Sequence, residues 1–214
     1  MKLNVLVTCY NKEKYIPYIV TMLKEQASKY DDVEIHIYDD GSKDKSTKMI
    51  DQVLEDYSKN NIIKHYLPHN LGTGSVRELA LQNVNSEYFI FVDADDLISE
   101  DYLDKIMNYI NDNTADIHHF KVRVYPIGGT AAFGFSLWDK VIKTDFIKKH
   151  NLHFNTSLCN MEDSDFMDNV FNYNPVFKEH SDILYIYNVS VPNTLTHNGD
   201  VWLNNYDNIK PECR

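Results

Sequence analysis

The segment Phe89-Ile90-Phe91-Val92-Asp93-Ala94-Asp95-Asp96 concentrates more chemistry than any other part of the chain. A short apolar run with two aromatic residues reads as a buried strand, and it stops abruptly in carboxylates. Acids at the carboxyl end of a strand stand where open α/β sheets bind their ligands. Folding alone does not ask for three acids there, because like charges held close repel. A hard divalent cation shared with a phosphate-bearing ligand relieves that repulsion. The competing reading is a strand entering a helix whose first turn favours acids. Ser99, Glu100 and Asp101 fit that reading as an N-cap and first turn. Asp93 and Asp95 fit it less well, because they alternate within the strand end.

The elements that must position these acids follow from periodicity. Leu3 to Val7 reads as a strand opening into the polar loop Cys9 to Lys14. Ile16 to Tyr30 has apolar residues at helical spacing. Val33 to Tyr38 alternates as a strand and meets Asp39-Asp40-Gly41-Ser42, whose residue types favour a turn. Ser46 to Tyr57 reads as a second helix, Ile62 to Leu67 as a strand, and Val76 to Val84 as a third helix. Gly72-Thr73-Gly74-Ser75 has no P-loop spacing; a strand-to-helix turn with Thr73 or Ser75 as N-cap accounts for it. Such alternation implies a mostly parallel sheet with helices on its faces. Right-handed crossovers then bring the ends of the strands at Val7, Tyr38 and Val92 to one edge. In the second half, Leu103 to Ile110, Trp138 to His150 and Ser164 to Phe171 read as helices. Ile117 to Tyr125 and Ile183 to Val189 read as strands. The glycines between Gly128 and Gly134, and the tail after Asn198, are candidates for a lid.

With 214 residues the chain suits one good core. Its net charge of −11 argues against nucleic acid and anionic membrane surfaces as main partners, since both call for a basic patch. Three cysteines without CxxC spacing point to a reducing compartment, so a soluble cytoplasmic protein is expected. No stretch approaches the roughly 18–20 apolar residues of a membrane-spanning helix.

Val7-Thr8-Cys9-Tyr10-Asn11, Asp39-Asp40-Gly41-Ser42, Asn70-Leu71-Gly72 with Arg77, Asp93-Ala94-Asp95-Asp96 and Glu162-Asp163 occur in that order. In this the chain resembles the family 2 nucleotide-sugar glycosyltransferases, over about residues 3 to 198. The resemblance implies a single-domain GT-A (Rossmann-like) α/β fold, a mostly parallel mixed sheet with helices on both faces. A nucleotide-binding half would cover about 1–97 and an acceptor-binding half about 98–200. Residues 201–214 would be a tail or the start of a linker to further domains of a longer polypeptide.

The resemblance further implies that Cys9, Tyr10 and Asn11 lie under the uracil and ribose of a UDP-sugar, with Thr8 also among the nucleotide-binding residues. The family usually has proline where Thr8 stands. Asp39 would accept from the uracil N–H. Arg77 would lie near the nucleotide, although Glu78 follows it where asparagine is usual. Asp93, with Ala94 beside it, would contact the ribose or a metal-bound water. Asp95 would bind a divalent cation, Mn²⁺ first and Mg²⁺ second, and His197 is a candidate further ligand. Asp163 would be the general base for the hydroxyl of a carbohydrate or other acceptor, in an inverting displacement. Trp138, Lys140 and Glu162 would line the donor and acceptor groove.

Two other functions fit the bare sequence. A nucleotidyltransferase would want a glycine-rich basic loop after the first strand to hold a triphosphate; Cys9 to Lys14 has no glycine. A nucleotide-sugar or glycan-binding domain without turnover would have no need of Asp163. Taken alone, Glu162, Asp163, Asp165 and Asp168 also fit a solvated acidic helix face, and Trp138 a packed core indole.

Overall fold

The structure is a computed structural model that describes residues 1–111, 113–131, 133–158 and 160–192. Its centre is a nine-stranded mixed sheet. Strands β1 (Leu3–Cys9), β2 (Val33–Asp39), β3 (Ile62–Tyr66) and β4 (Tyr88–Asp93) are parallel, in the spatial order β3-β2-β1-β4. Beyond β4 come β8 (Lys140–Lys143), β6 (Ile117–Tyr125), β9 (Phe177–Asn188) and β5 (Leu97–Ile98); β7 (Thr130–Ala131) pairs with β6. Here β8 runs antiparallel to both β4 and β6, whereas β6 and β9 are parallel with a shifted register around Lys121.

Residue alternation decides which helix covers which face, because successive strand side chains point to opposite sides. Leu3, Val5 and Val7 of β1 and Tyr88, Ile90 and Val92 of β4 share one core with α1 (Ile16–Ala27), α2 (Ser46–Leu54) and α4 (Tyr102–Ile110). Leu6, Phe89 and Phe91 face the other core, with α3 (Thr73–Gln82), α5 (Thr144–His150) and α6 (Glu162–Phe171). Both β1 and β4 are buried along nearly their whole length. That explains their near-continuous hydrophobic runs.

Two expectations need correction. Trp138 to His150 is not one helix. Lys140–Lys143 forms β8, wedged between β4 and β6, and only Thr144–His150 is helical. The β-branched pair Val141-Ile142 can satisfy either period over so short a run, and cross-strand pairing decided it. Helix α3 is capped by neither Thr73 nor Ser75. Its N-cap is Gly72, at φ 86 and ψ 153, a backbone conformation that a side chain resists.

Candidate functional site

The parallel strands β1, β2 and β4 end together. Cys9 pairs in register with Asp39, and Thr8 with Asp93. The loops that leave them are tied to one another by side-chain hydrogen bonds. Asn11 sits at φ 53; its N–H donates to Ser42 Oγ at 2.8 Å, and its Oδ1 accepts from the Lys43 N–H at 2.8 Å. The Lys12 N–H donates to Ser46 Oγ at 2.8 Å and the Glu13 N–H to Asp44 at 3.0 Å. Ser42 in turn donates to Asp39 through its N–H at 2.9 Å and its hydroxyl at 2.6 Å.

Asp40, which the sequence offered only as part of a turn, is a buried clamp. Its carboxylate accepts from the Leu71 N–H at 2.7 Å, the Gly72 N–H at 3.0 Å and Asn70 Nδ2 at 2.8 Å. Burial raises its pKa, and the Leu71 and Gly72 amides oppose that rise. Gly41 lets the two loops meet: at φ +66, a Cβ there would stand 2.5 Å from the backbone carbon of His69.

At the end of β4 the three acids take three different partners. Asp93 accepts from Arg77 at 3.0 Å and from Thr8 Oγ1 at 3.2 Å. Asp95 is paired with Lys12, Nζ to Oδ2 at 2.6 Å. Burial pushes the Asp95 carboxyl up, and Lys12 pulls it back. Asp96 turns inward, to the Tyr185 hydroxyl at 2.8 Å and the Asn188 N–H at 2.7 Å. Burial, with the neighbouring charges of Asp93 and Asp95, drives its pKa well above the carboxylate range. The Tyr185 oxygen also accepts from the Asp93 N–H at 3.0 Å, so one phenol braces the whole turn. A small cleft lined by Tyr15, Tyr18, Asp95, Asp96, Leu97 and Asn188 opens beside it.

Arg77 connects this strand end to α6. It donates to Asp93 with one terminal nitrogen and to Glu162 Oε1 with the other at 2.6 Å, while its buried Nε has no partner among the described residues. Burial opposes its charge, but Asp93, Glu162 and Asp163 together hold its pKa above the ordinary arginine value. Burial likewise raises Glu162 against the pull of Arg77. Asp163, in the first turn of α6, is partly exposed and accepts from the Ser164 N–H at 2.8 Å. Helix α6 starts sharply after Met161, which adopts a left-handed φ of 62.

Thr8, Cys9, Tyr10, Asn11, Asp39, Arg77, Asp93, Ala94 and Asp95 gather at one sheet edge, and Asp163 approaches it through Glu162 and Arg77. Cys9 and Ala94 are buried beneath this edge, whereas Tyr10 is exposed. His197 lies outside the described residues, as does the tail after it.

The three residues expected to line a groove do not. Glu162 is 3% exposed and committed to Arg77. Trp138 is 6% exposed, stacked on Tyr185 at 5.0 Å and Tyr187 at 5.2 Å, a packed indole. Lys140 is 0% exposed. Its ammonium donates to Asp139 at 2.6 Å, Phe133 O at 2.6 Å and Ser136 O at 2.9 Å, using all three of its protons. Burial lowers its pKa against the raising effect of Asp139. Asp139 also accepts from Ser136 Oγ at 2.9 Å and meets His119 Nε2 at 3.1 Å. Lys12, Asp96, Tyr185 and Asn188 had no sequence signal as site residues beyond the adjacency of Asp96 to Asp95. They converge only through folding.

A parallel sheet with helices on both faces and acids at its strand ends is the architecture of the GT-A sugar-transferring enzymes. Residues 4–171 match Glycosyl transferase family 2, and the chain belongs to that family. A teichoic acid poly(glycerol phosphate) polymerase of Staphylococcus epidermidis is 31% identical over 186 residues, which cover 78% of this chain and 25% of the polymerase. The poly(ribitol-phosphate) beta-N-acetylglucosaminyltransferase TarS of Staphylococcus aureus is 32% identical over 125 residues, 58% of this chain and 21% of TarS. The crystal structure of S. aureus TarS 1–349 in complex with UDP superposes with a TM-score of 0.77 at 26% identity, covering 89% of this chain and 61% of that one. A mannosyltransferase from Pyrobaculum calidifontis, solved with GDP-Man and Mn²⁺, has a TM-score of 0.72 at 16% identity and shares the fold alone. The chain thus spans about a quarter of the length of the curated polymerase. Among the described residues, no helix is long and apolar enough to cross a membrane.

Proposed function

We propose that this domain transfers a sugar from a UDP-sugar to an acceptor hydroxyl, with inversion at the anomeric carbon. The observation that carries the reading is the chain Asp93–Arg77–Glu162, which sets Asp163 of the second half against the acids of the first. Thr8, Cys9, Tyr10 and Asn11 form the nucleotide floor, with Asp93 and Ala94 beside the ribose. Both oxygens of Asp39 already accept from Ser42, and each keeps a lone pair for the uracil N–H. The UDP-bound TarS structure supports uridine. Asp163 takes the proton of the acceptor hydroxyl as its oxygen bonds to the anomeric carbon. The bond from that carbon to the diphosphate breaks, and its electron pair leaves with UDP. A base is needed because a sugar hydroxyl is a poor nucleophile at neutral pH.

The donor set fits a hard divalent ion. Among the described residues no three ligating side chains converge. One or two carboxylates completed by substrate phosphates is the usual arrangement for such an ion. The Asp95 oxygen already holds a cation in the form of the Lys12 ammonium. Asp95, with Asp93 beside it, would hold Mn²⁺ or Mg²⁺, which supplies positive charge to the leaving diphosphate.

The test is UDP release from a panel of UDP-sugars with Mn²⁺, Mg²⁺ or EDTA. One sugar should give metal-dependent release that Asp95→Ala abolishes. Transfer to an acceptor should fall about 10²–10⁴-fold in Asp163→Asn while UDP binding persists. No release from any sugar, together with no UDP binding by calorimetry, would end the transferase reading.

A further inference from the structure

Among the described residues, Lys12 is a strand-end cation paired with the carboxylate that the metal reading assigns to the divalent ion. Arg77 covers Asp93 from a buried position, and Asp96 is satisfied by neutral donors. Asp95 depends on Lys12 for charge balance, at 2.6 Å, and the Lys12 side chain is 17% exposed. Its main chain is pinned by the hydrogen bond to Ser46 Oγ, so the ammonium can move only by turning its flexible stem about a fixed root. A divalent ion that takes Asp95 Oδ2 competes with that ammonium, because two cations held against one carboxylate oxygen repel. The displaced charge then stands within one side-chain length of the strand edge where the diphosphate would lie.

We propose that Lys12 is a two-position cation: it neutralises Asp95 in the donor-free domain and moves onto the donor diphosphate when the divalent ion arrives. The proposal rests on the UDP-sugar reading. It makes Lys12 an antagonist of the metal alone and an ally of the metal with diphosphate. The two ligands thereby become cooperative, because whatever weakens one in isolation and strengthens the pair is a coupling between them. An ordinary surface salt bridge would do neither.

The experiment uses the whole chain and three variants: wild type, Lys12→Met and Lys12→Arg. Mn²⁺ binding without nucleotide is read from the spin-resonance signal of free Mn²⁺, and thermal unfolding checks that each variant is folded. Lys12→Met should bind Mn²⁺ alone about 5–10-fold more tightly than wild type. At saturating Mn²⁺ it should bind UDP and inorganic pyrophosphate about 5–10-fold more weakly. Lys12→Arg should stay near wild type in both. Equal or weaker Mn²⁺ binding by Lys12→Met overturns the competition, as does failure of any folded variant to bind Mn²⁺. Unchanged pyrophosphate affinity overturns the second position. A protein that binds Mn²⁺ and pyrophosphate but not UDP would refute the uridine assignment and leave the Lys12 result standing.

Discussion

The two halves of the domain hold their candidate site residues by different means. In the first half, the loops after β1, β2 and β3 are laced together by side chains bonding backbone amides: Asn11 with Ser42 and Lys43, Asp44 with Glu13, Asp40 with Leu71 and Gly72. These bonds are made by small polar residues at strand ends and turns, and they tie together loops that lie 31 or 32 positions apart in the chain. In the second half the supports are buried charges and stacked rings: Lys140 with Asp139 and His119, and Trp138 with Tyr185 and Tyr187. The first arrangement buries Asp39 and Asp40 but leaves Tyr10, Asn11 and Lys43 exposed, where a ligand can reach them. The second spends its polar groups on one another and serves as a wall. Arg77 and Tyr185 join the regimes, each bridging β4 to a distant element.

The largest test of this contrast is Lys140→Met. Removing one partner of a buried pair leaves Asp139 charged and undercompensated, so a loss of about 3–5 kcal/mol is expected in urea unfolding. A loss below about 1 kcal/mol would mean that the second half does not lean on buried charge. Next is Ser42→Ala, which strips one hydroxyl from both Asn11 and Asp39. About 1 kcal/mol of stability should go, and UDP affinity should fall more than stability does. A stability loss with unchanged UDP affinity would make the loop lacing structural only.

The smallest effect belongs to Asp182. Its carboxyl is held below the usual range by hydrogen bonds from Lys105 at 2.8 Å and Tyr109 at 2.6 Å. A depressed acid stabilises the fold above its unfolded pKa of about 4 and loses that effect as pH falls through the folded value. Because the pair is substantially exposed, Asp182→Asn should lower Tm by only about 1–2 °C at neutral pH. The difference should shrink steadily as pH falls below about 4. A difference that persists at low pH would assign the effect to packing.

The strength of the sequence signal followed the same division. The parallel strands β1 to β4 and the helices between them were legible because each is a near-local pattern. Buried strands read as apolar runs, amphipathic helices repeat every three to four residues, and polar residues mark where strands end. Asp39, Asp93, Asp95 and Asp163 could be picked out for the same reason: their motifs are contiguous. Lys140–Lys143 reads as helix in the sequence because four residues cannot distinguish helix from strand, and its pairing partners lie some 20 and 50 positions away. Trp138 and Lys140 kept their places in the chain but not their expected exposure. Burial is a property of what packs on top, and Tyr185, Tyr187 and Asp139 decided it.

By itself, then, the sequence determined the alternating α/β order, the edge at which the acids would collect and the identity of those acids. Only the tertiary structure decided how the charges pair: Arg77 between Asp93 and Glu162, Lys12 on Asp95, Tyr185 under Asp96. Period and composition act over a few residues, whereas these pairs span up to 89 positions and exist only once the sheet has closed them to hydrogen-bond distance.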